Sequence, residues 1–160
     1  MGFPRNDFIS EAKARGRSQD FITEALKYAD VLDEKGLPVI FDIVHLAFIL
    51  NCDYSELKHI ASITSVFYRY FAIKKRSGGL RRIMAPYQNL SHIQEWIKHN
   101  ILDQIIQPDY VTAFVKGRNI LTNAKIHEGK KYVLKIDLKN YFESINVRRV
   151  CAAFKWMGYE

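Results

Sequence analysis

Among the acidic residues of this sequence, Asp137 has the context most suggestive of a chemical role. It falls at the end of the run Tyr132–Leu138, whose branched and aromatic residues are typical of a β-strand. A carboxylate among apolar neighbours requires a partner or a cation. Asp137 therefore either caps or ion-pairs a strand end, or binds Mg²⁺, which prefers oxygen ligands and can hold the phosphates of a nucleotide.

The second chemical feature is a basic segment, 66–85, that is predicted to form a β-hairpin. Two runs rich in branched and aromatic residues flank a basic, glycine-containing tip at 74–79. Between Leu57 and Gln94 there is no Asp or Glu, and a field of one sign favours a phosphate-bearing partner over an ordinary solvated surface. The positive residues of this stretch are Lys58, Arg69, Lys74, Lys75, Arg76, Arg81 and Arg82.

Aromatic residues at the start of this hairpin have two interpretations. Phe67, Tyr68, Tyr70 and Phe71 can stack on nucleic-acid bases, as aromatic residues of single-strand binders do. Alternating aromatics in a strand are more often part of a hydrophobic core. The sequence favours the core interpretation and leaves the other open.

Helices are predicted on both sides of the hairpin. Residues 1–36 contain two amphipathic helices separated by Gly16. Ser55 is a plausible N-cap, and Ser91 has capping-box spacing to Gln94. Further helices are predicted over 39–50, 55–65, 91–106, 120–127 and 147–157.

Composition limits the class of protein. The 160 residues are 48% hydrophobic and 26% charged, which excludes disordered and fibrous proteins, and the net charge of +7 suits a polyanionic partner. Cys52 and Cys151 lack ligand-spaced partners, so we expect two reduced, mostly buried thiols. The apolar stretch Leu37–Leu50 is shorter than the roughly 20 residues that span a bilayer, and we expect a cytoplasmic protein without a membrane partner.

The order of these features along the chain is more informative than any one of them. A basic hairpin is followed by a helix, a glycine-bearing loop, the sequence Asn-Ala-Lys-Ile-His at 123–127, and a strand that enters Lys-Ile-Asp-Leu-Lys-Asn-Tyr-Phe-Glu-Ser-Ile at 135–145. This order resembles the fingers and first palm segment of bacterial retron reverse transcriptases. The resemblance runs from Gly36 through the Gly-Gly-x-Arg segment that contains Arg81 to Tyr159.

The resemblance implies an α+β fold, namely the N-terminal part of a right-hand polymerase with an incomplete palm. Segment 135–145 is similar to motif A of the family, which supplies the first catalytic aspartate. The implied domains are an N-terminal helical extension over 1–36, fingers over 37–131 that include the hairpin 66–85, the helix 91–106 and the segment 123–127, and the start of the palm over 132–160.

The same resemblance implies roles for the residues around motif A. Asp137 becomes a ligand of two catalytic Mg²⁺ ions, and the carbonyl of Leu138 a ligand of the nucleotide-bound ion. Phe142 occupies the position of the aromatic steric gate that excludes a ribose 2′-OH, although it can also be plain core. The backbone of Asn140 and Tyr141 is expected under the nucleotide phosphates.

Basic residues of the hairpin also receive roles from the resemblance. Arg81 clamps the triphosphate, with Lys74 or Lys75 as its helper. The residues expected to contact RNA or to support the fold are Asn123, His127, Arg69, Arg76 and Arg82.

The function implied is that of an RNA-directed DNA polymerase of retron type, a nucleotidyltransferase. Such an enzyme binds a structured non-coding RNA, primes synthesis from a 2′-OH of that RNA, and makes RNA-linked single-stranded DNA for anti-phage defence. Its expected partners are deoxynucleoside triphosphates, the RNA and its DNA product, and an effector protein or a remaining polymerase segment.

One departure from the family limits this expectation. The 160 residues contain no Tyr-x-Asp-Asp, and two-metal catalysis requires at least one further carboxylate. We expect this chain to be an N-terminal portion of a longer polymerase that is inactive alone. Two alternatives stay open: another bacterial reverse transcriptase of group II intron or abortive-infection type, and a non-catalytic RNA-binding module with a fingers fold.

Overall fold

The computed structural model describes residues 2–160, which form two compact units. The terminal unit contains the chain up to Pro38 together with Asp103–Glu160, and the hairpin unit contains Val39–Leu102. Helices predominate, and the sheet found in the described residues has two antiparallel strands. This mixed architecture agrees with the α+β class, while the assignment of extension, fingers and palm stays a prediction.

Two helices open the terminal unit, as predicted from the sequence. α1 spans Arg5–Ala14 and α2 spans Gln19–Asp33. The hydroxyl of Ser18 caps α2 by accepting from the amide of Phe21 at 3.2 Å. An ion pair between Arg5 and Asp30 links the two helices. The inward face of α2 is buried through Ile22, Ala29 and Leu32.

The last helix of the chain, α7 (Val147–Met157), has the bounds that the sequence predicts. The side chain of Asn146 accepts from the amide of Arg149 at 3.1 Å and caps its start. Gly158 ends it with a left-handed φ of 117°. A β-carbon at Gly158 would lie 3.0 Å from a methyl group of Val31, so the end of α7 closely approaches α2.

Two hydrogen bonds hold this end of α7. The ammonium of Lys35 donates to the carbonyl of Met157 at 2.9 Å, where a cation also offsets the negative end of the helix dipole. The hydroxyl of Tyr159 donates to the carbonyl of Pro38 at 3.0 Å. Burial raises the pKa of Tyr159, so this hydroxyl keeps its proton.

The hairpin unit begins with α3 (Ile43–Ile49) and α4 (Tyr54–Ser62). The carboxylate of Asp53 caps α4 by accepting from the amides of Ser55 and Glu56. The prediction that Ser55 is the N-cap is therefore wrong, because an acidic acceptor two residues earlier is available to the same first turn. The hydroxyl of Ser55 instead donates to that carboxylate.

The predicted hairpin is present as β1 (Tyr68–Lys74) and β2 (Leu80–Pro86). Phe71 pairs with Ile83, and the pairing is continuous from Tyr68 to Lys74. Gly78 and Gly79 both have positive φ at the tip, a conformation that glycine adopts without steric cost. The amide of Lys75 donates to the carbonyl of Gly79 at 3.0 Å and closes the turn.

The helix predicted over 91–106 has different bounds. α5 spans Gln88–Asn100, with Tyr87 as its N-cap, and a separate 3₁₀ turn follows at Leu102–Gln104. The hydroxyl of Ser91 bonds Glu95, one turn onward, instead of capping the helix. Downstream, α6 spans Ile120–Ile126 and opens with a capping box between Asn119 and Thr122.

The prediction of a strand over 132–138 is wrong for the described structure. The segment is extended but pairs with no other strand, and its apolar residues are exposed; Leu134, for example, is 83% exposed. A β-strand needs a neighbour to bond its backbone groups, and sequence pattern alone does not supply one.

Two remaining expectations concern the cysteines and the membrane. Cys52 and Cys151 are both free thiols, as predicted, but Cys151 is exposed and Cys52 only partly buried. Cys151 lies on an outer face of α7, where periodicity does not reveal which residues a neighbour covers. Within residues 2–160, no helix has the length and apolar character needed to cross a bilayer.

Replacing Gly158 by Ala should destabilise the protein by about 1–2 kcal/mol through the left-handed backbone alone, with a further loss from the contact with α2. Gly36→Ala is the matched control, because Gly36 has φ of +67° and nothing within 4 Å of its added β-carbon. Urea unfolding of both variants measures the difference. Equal losses would contradict a close packing of α7 on α2.

Candidate functional site

The first candidate site is the motif segment, Asp137–Ile145, in the terminal unit. Extended chain leads to Asp137, and the backbone then turns at Asn140, which has a φ of +53°. Asparagine adopts this left-handed conformation more readily than most residues. The amide of Ser144 donates to the carbonyls of Asn140 and Tyr141, and its hydroxyl donates to Tyr141 at 2.6 Å. These bonds fix the turn that enters the helix α7.

This turn surrounds an open depression of about 440 Å³. Phe142 is 69% exposed at its edge, and its ring meets that of Tyr141 edge-on at 5.5 Å. Five residues predicted for the site are thus brought together by the local fold. The depression is lined by Asp137, Leu138, Asn140, Tyr141, Phe142 and Glu143.

Two consecutive backbone conformations in this turn are of the kind that binds anions. Asn140 is left-handed and Tyr141 is right-handed helical, with φ of −56° and ψ of −48°. Successive amides in such a pair form a concavity that accepts anions. No described residue accepts a hydrogen bond from the amide of Asn140 or Tyr141. The segment can therefore offer a carboxylate and free amides within a few residues.

The described residues do not complete a metal centre. Asp137 provides an exposed carboxylate of the kind that Mg²⁺ binds, and the carbonyl of Leu138 is adjacent in sequence. Among residues 2–160, however, no cluster of three or more His, Cys, Asp or Glu side chains can hold an ion. A two-ion centre needs ligands beyond those of this chain's described part.

The second candidate site is the hairpin, which belongs to the other compact unit. Directly paired residues share a face, and neighbours along a strand alternate between faces. Arg81 and Arg82 therefore project from opposite faces, Arg81 beside Ile73 and Arg82 beside Ala72. One face carries Arg69, Phe71, Ile73, Arg81, Ile83 and Ala85; the other carries Tyr68, Tyr70, Ala72, Lys74, Leu80, Arg82, Met84 and Pro86.

Exposure at the hairpin corrects the core interpretation of its aromatic residues. Tyr70 is 60% exposed and Phe71 46% exposed, whereas Phe67 and Tyr68 are partly buried at the base. The ring of Phe67 contacts that of His59 edge-on at 5.4 Å. The base of the hairpin therefore packs on other elements of its unit, and Tyr70 and Phe71 beyond it are exposed. The predicted cations Arg69, Lys74, Lys75, Arg76, Arg81 and Arg82 are all exposed.

Asn123 and His127 lie on and just after α6, and both are exposed. Neither is gathered into the depression beside Asp137. Sequence reasoning gave no site role to Glu143, which lines that depression; its place in the turn after Phe142 was the signal available. Arg118 lies just before α6, and its guanidinium bonds the carbonyl of Gln107 at 3.1 Å and pairs with Asp109 at 3.0 Å.

Comparison with known proteins bears on the identity of this chain. It is 35% identical over 119 residues to the retron Mx162 reverse transcriptase of Myxococcus xanthus, a match that covers 72% of this chain and 24% of the relative. It is 29% identical over 126 residues to the retron Ec86 reverse transcriptase of Escherichia coli, covering 78% of this chain and 39% of the relative.

A third relative, the retron Ec73 reverse transcriptase of Escherichia coli, is 43% identical over 75 residues, with 46% of this chain and 24% of the relative covered. By sequence, the chain is of the retron reverse transcriptase type. No protein-family model matches it. The chain spans less than two fifths of the length of these retron reverse transcriptases. The resemblance seen in its motifs is confirmed.

Proposed function

We propose that these residues form part of an RNA-directed DNA polymerase of retron type. The observation that carries the proposal is the depression that gathers Asp137, Phe142 and the turn at Asn140, in a chain similar to retron reverse transcriptases. Nucleotidyl transfer depends on positioning and on neutralising charge at the phosphates. A carboxylate, an aromatic side chain and free amides within one turn suit that chemistry.

The motif segment would receive the sugar and triphosphate of a deoxynucleotide. The amides of Asn140 and Tyr141 would donate to phosphate oxygens, and Phe142 would exclude a 2′-OH by contact. The carboxylate of Asp137 and the carbonyl of Leu138 would be the ligands that this chain contributes to a Mg²⁺ centre. The ions of that centre would neutralise charge on the phosphates. In this proposal the 160 residues do not polymerise alone, because no cluster of three or more His, Cys, Asp or Glu side chains in the described part could hold the ions.

The hairpin would serve as the basic part of the fingers. Arg81 is exposed on a strand, where a guanidinium can bind phosphate oxygens through two parallel bonds. Lys74 and Lys75, at the end of β1 and in the tip, would assist as flexible point charges. Segment 132–160 would begin the palm in the complete enzyme.

The template of the proposed enzyme is a structured non-coding RNA. Synthesis would start from a 2′-OH of that RNA and give RNA-linked DNA, used with an effector protein in anti-phage defence. Asn123, His127, Arg69, Arg76 and Arg82 are the residues proposed to contact the RNA or support the fold. Their exposure in the described structure leaves each of them accessible to such a partner.

A non-catalytic RNA-binding module is the second candidate. The hairpin favours it, because a surface of one sign between Leu57 and Gln94 binds phosphates without any catalytic group. RNA binding alone requires neither an aspartate beside a free-amide turn nor an aromatic gate. The Asp137 variant below separates the two candidates.

Asp137→Asn, introduced into the complete enzyme, should lower primer extension by roughly a thousandfold or more, since a metal ligand contributes several kcal/mol to the transition state. The amide keeps the size of the side chain but removes its charge. Extension is measured with a radiolabelled primer, and RNA affinity by filter binding should stay near that of the parent. Glu128→Gln, at an exposed carboxylate, is the control. Retained extension by the Asn variant would favour the binding module.

Phe142→Ala should relax discrimination against ribonucleotides by about 10- to 100-fold, the range expected for removal of an apolar contact that selects by size. The ratio of kcat/KM for a deoxynucleotide and its ribonucleotide counterpart reports the effect. Tyr132→Ala, at another exposed aromatic residue of the same unit, is the control. Unchanged sugar selectivity in the Phe142 variant would rule out a gate at this position.

Arg81→Ala should raise the KM for nucleotide by about 10- to 100-fold, because charged hydrogen bonds contribute about 1.5–3 kcal/mol each. Arg81→Lys should recover part of this loss, since lysine keeps the charge but not the paired donors. Steady-state kinetics at saturating RNA measure both. A parent-like KM in the Ala variant would mean that Arg81 has a structural role only.

A further inference from the structure

A cavity of about 490 Å³ lies within the hairpin unit, between the turn that joins α3 to α4 and the helix α5. None of the described residues along its wall belongs to the hairpin or to the motif segment. We propose that this cavity is a protein-docking site that receives an arginine side chain of a partner protein. The proposal goes beyond the polymerase function and does not depend on it.

The inner lining of the cavity is apolar. Leu57 and Ile60, on α4, are 5% and 4% exposed, and Trp96, on α5, is partly buried. The volume is in the range of about 300–1,000 Å³ that is usual for ligand pockets. An arginine can lay its aliphatic stem along such a lining while its charged head stays at the rim.

Charge distinguishes this cavity from the rest of the hairpin unit. The acidic residues of the unit are Asp42, Asp53, Glu56 and Glu95. Asp53 and Glu56 line the cavity, whereas none of the described lining residues is a lysine or an arginine. Most cations of the unit lie on the hairpin instead. The cavity is therefore a local site of negative charge on a basic unit, which attracts a cation and repels the phosphates of RNA.

The fold holds both carboxylates in place and keeps their charge. Hydrogen bonds from the hydroxyl of Ser55 and from the amides of Glu56 and Ser55 lower the pKa of Asp53. The side-chain amide of Asn89 donates to Oε1 of Glu56 and so joins the two walls. Burial raises the pKa of the Cys52 thiol, and the charges of Glu56 and Asp53 raise it further. This effect on a neighbouring group in the lining is what a negative potential inside the cavity produces.

A guanidinium suits this set of groups better than an ammonium does. It is planar, stacks on aromatic rings and can donate two parallel hydrogen bonds to a carboxylate. Trp is the aromatic side chain on which a cation gains most. A lysine would keep the charge but would lose the paired donors and the stacking.

The apolar surroundings favour a protein segment over a free small cation. Phe48 is 83% exposed and Tyr54 40% exposed, and they precede and follow the turn 50–53 that lines the cavity. In protein interfaces, a central arginine is commonly enclosed by contacts that exclude water. A free cation would have no use for exposed aromatic residues outside the cavity.

The test uses the complete enzyme labelled with 5-fluorotryptophan, with binding followed by fluorine NMR. Trp96→Phe identifies the Trp96 resonance by its loss. The probe is the peptide acetyl-Leu-Arg-Leu-amide, which should shift this resonance in a saturable manner. A matched peptide has citrulline, the neutral analogue of arginine, at its centre. It should bind about tenfold more weakly or worse, because its hydrogen bonds to the carboxylates lack the charge.

Two variants of the complete enzyme test the carboxylates. Glu56→Gln should raise the Kd of the arginine peptide by about tenfold, while its amide oxygen can still accept from Asn89. Asp53→Asn should also weaken binding, and α4 should keep its cap because asparagine caps helices as well as aspartate does. Glu95→Gln, at an exposed carboxylate of α5 that does not line this cavity, is the matched control. All three variants should extend primers at the parental rate.

Several outcomes would overturn the proposal. A Trp96 resonance that the arginine peptide leaves unshifted would exclude arginine from the cavity. Equal affinities for the arginine and citrulline peptides, or equal Kd values in Glu56→Gln and Glu95→Gln, would exclude recognition by charge. Tighter binding of agmatine, a small free amine with the same guanidinium, would assign the cavity to a free cation. Displacement of the peptide by oligouridine would assign it to RNA.

Discussion

Contact between the two ends of the described chain is the constraint on which the terminal unit depends. Gly158 approaches α2 so closely that a β-carbon would meet Val31 at 3.0 Å. Lys35 and Tyr159 add hydrogen bonds between groups more than a hundred residues apart in sequence. Since α7 follows directly from the motif segment, this docking also fixes where the turn at Asn140 ends. The N-terminal helices thus support the helix that follows the candidate site.

In the hairpin unit, the sheet is held by contacts between residues that are close in sequence. Its strands are joined by five residues and are continuously paired, so register follows from the turn at Gly78 and Gly79. Register decides which face each arginine occupies, because a shift of one residue would exchange the faces of Arg81 and Arg82. The tip with two left-handed glycines therefore helps to determine where the hairpin cations project.

Elements defined by local signals were predictable from the sequence, and elements that need a distant partner were not. The bounds of α7 follow from its apolar period and from Gly158, and the hairpin follows from branched residues around a glycine-bearing tip. The extended run 132–138 has the composition of a strand, but pairing requires a neighbour that pattern cannot reveal. Ser55 and Ser91 are suitable caps by type, yet the nearby Asp53 and Tyr87 occupy those positions.

In the candidate site, too, some features follow from local sequence and others depend on the folded structure. Residues close in sequence, from Asp137 to Phe142, meet in one depression because a single turn gathers them. The left-handed conformation of Asn140 and the resulting free amides were not visible in the pattern, since asparagine occurs in many loop conformations. The placement of Arg81 and Arg82 on opposite faces could be inferred from strand alternation. The exposure of Tyr70 could not, because it depends on how far α5 covers the hairpin.

Electrostatic repulsion among so many cations would be expected to destabilise the hairpin, but the strand register keeps the cations from facing one another directly. Each strand cation lies opposite an uncharged residue: Arg69 opposite Ala85, Arg82 opposite Ala72, Arg81 opposite Ile73 and Lys74 opposite Leu80. Like charges directly across a pair of strands would destabilise it, whereas this arrangement spreads them over two faces and the tip. Added salt weakens the remaining repulsion by screening, which stabilises the hairpin, and the same screening weakens phosphate binding. The hairpin can therefore keep a surface of one sign without the pairing cost that the same charges would impose in another register.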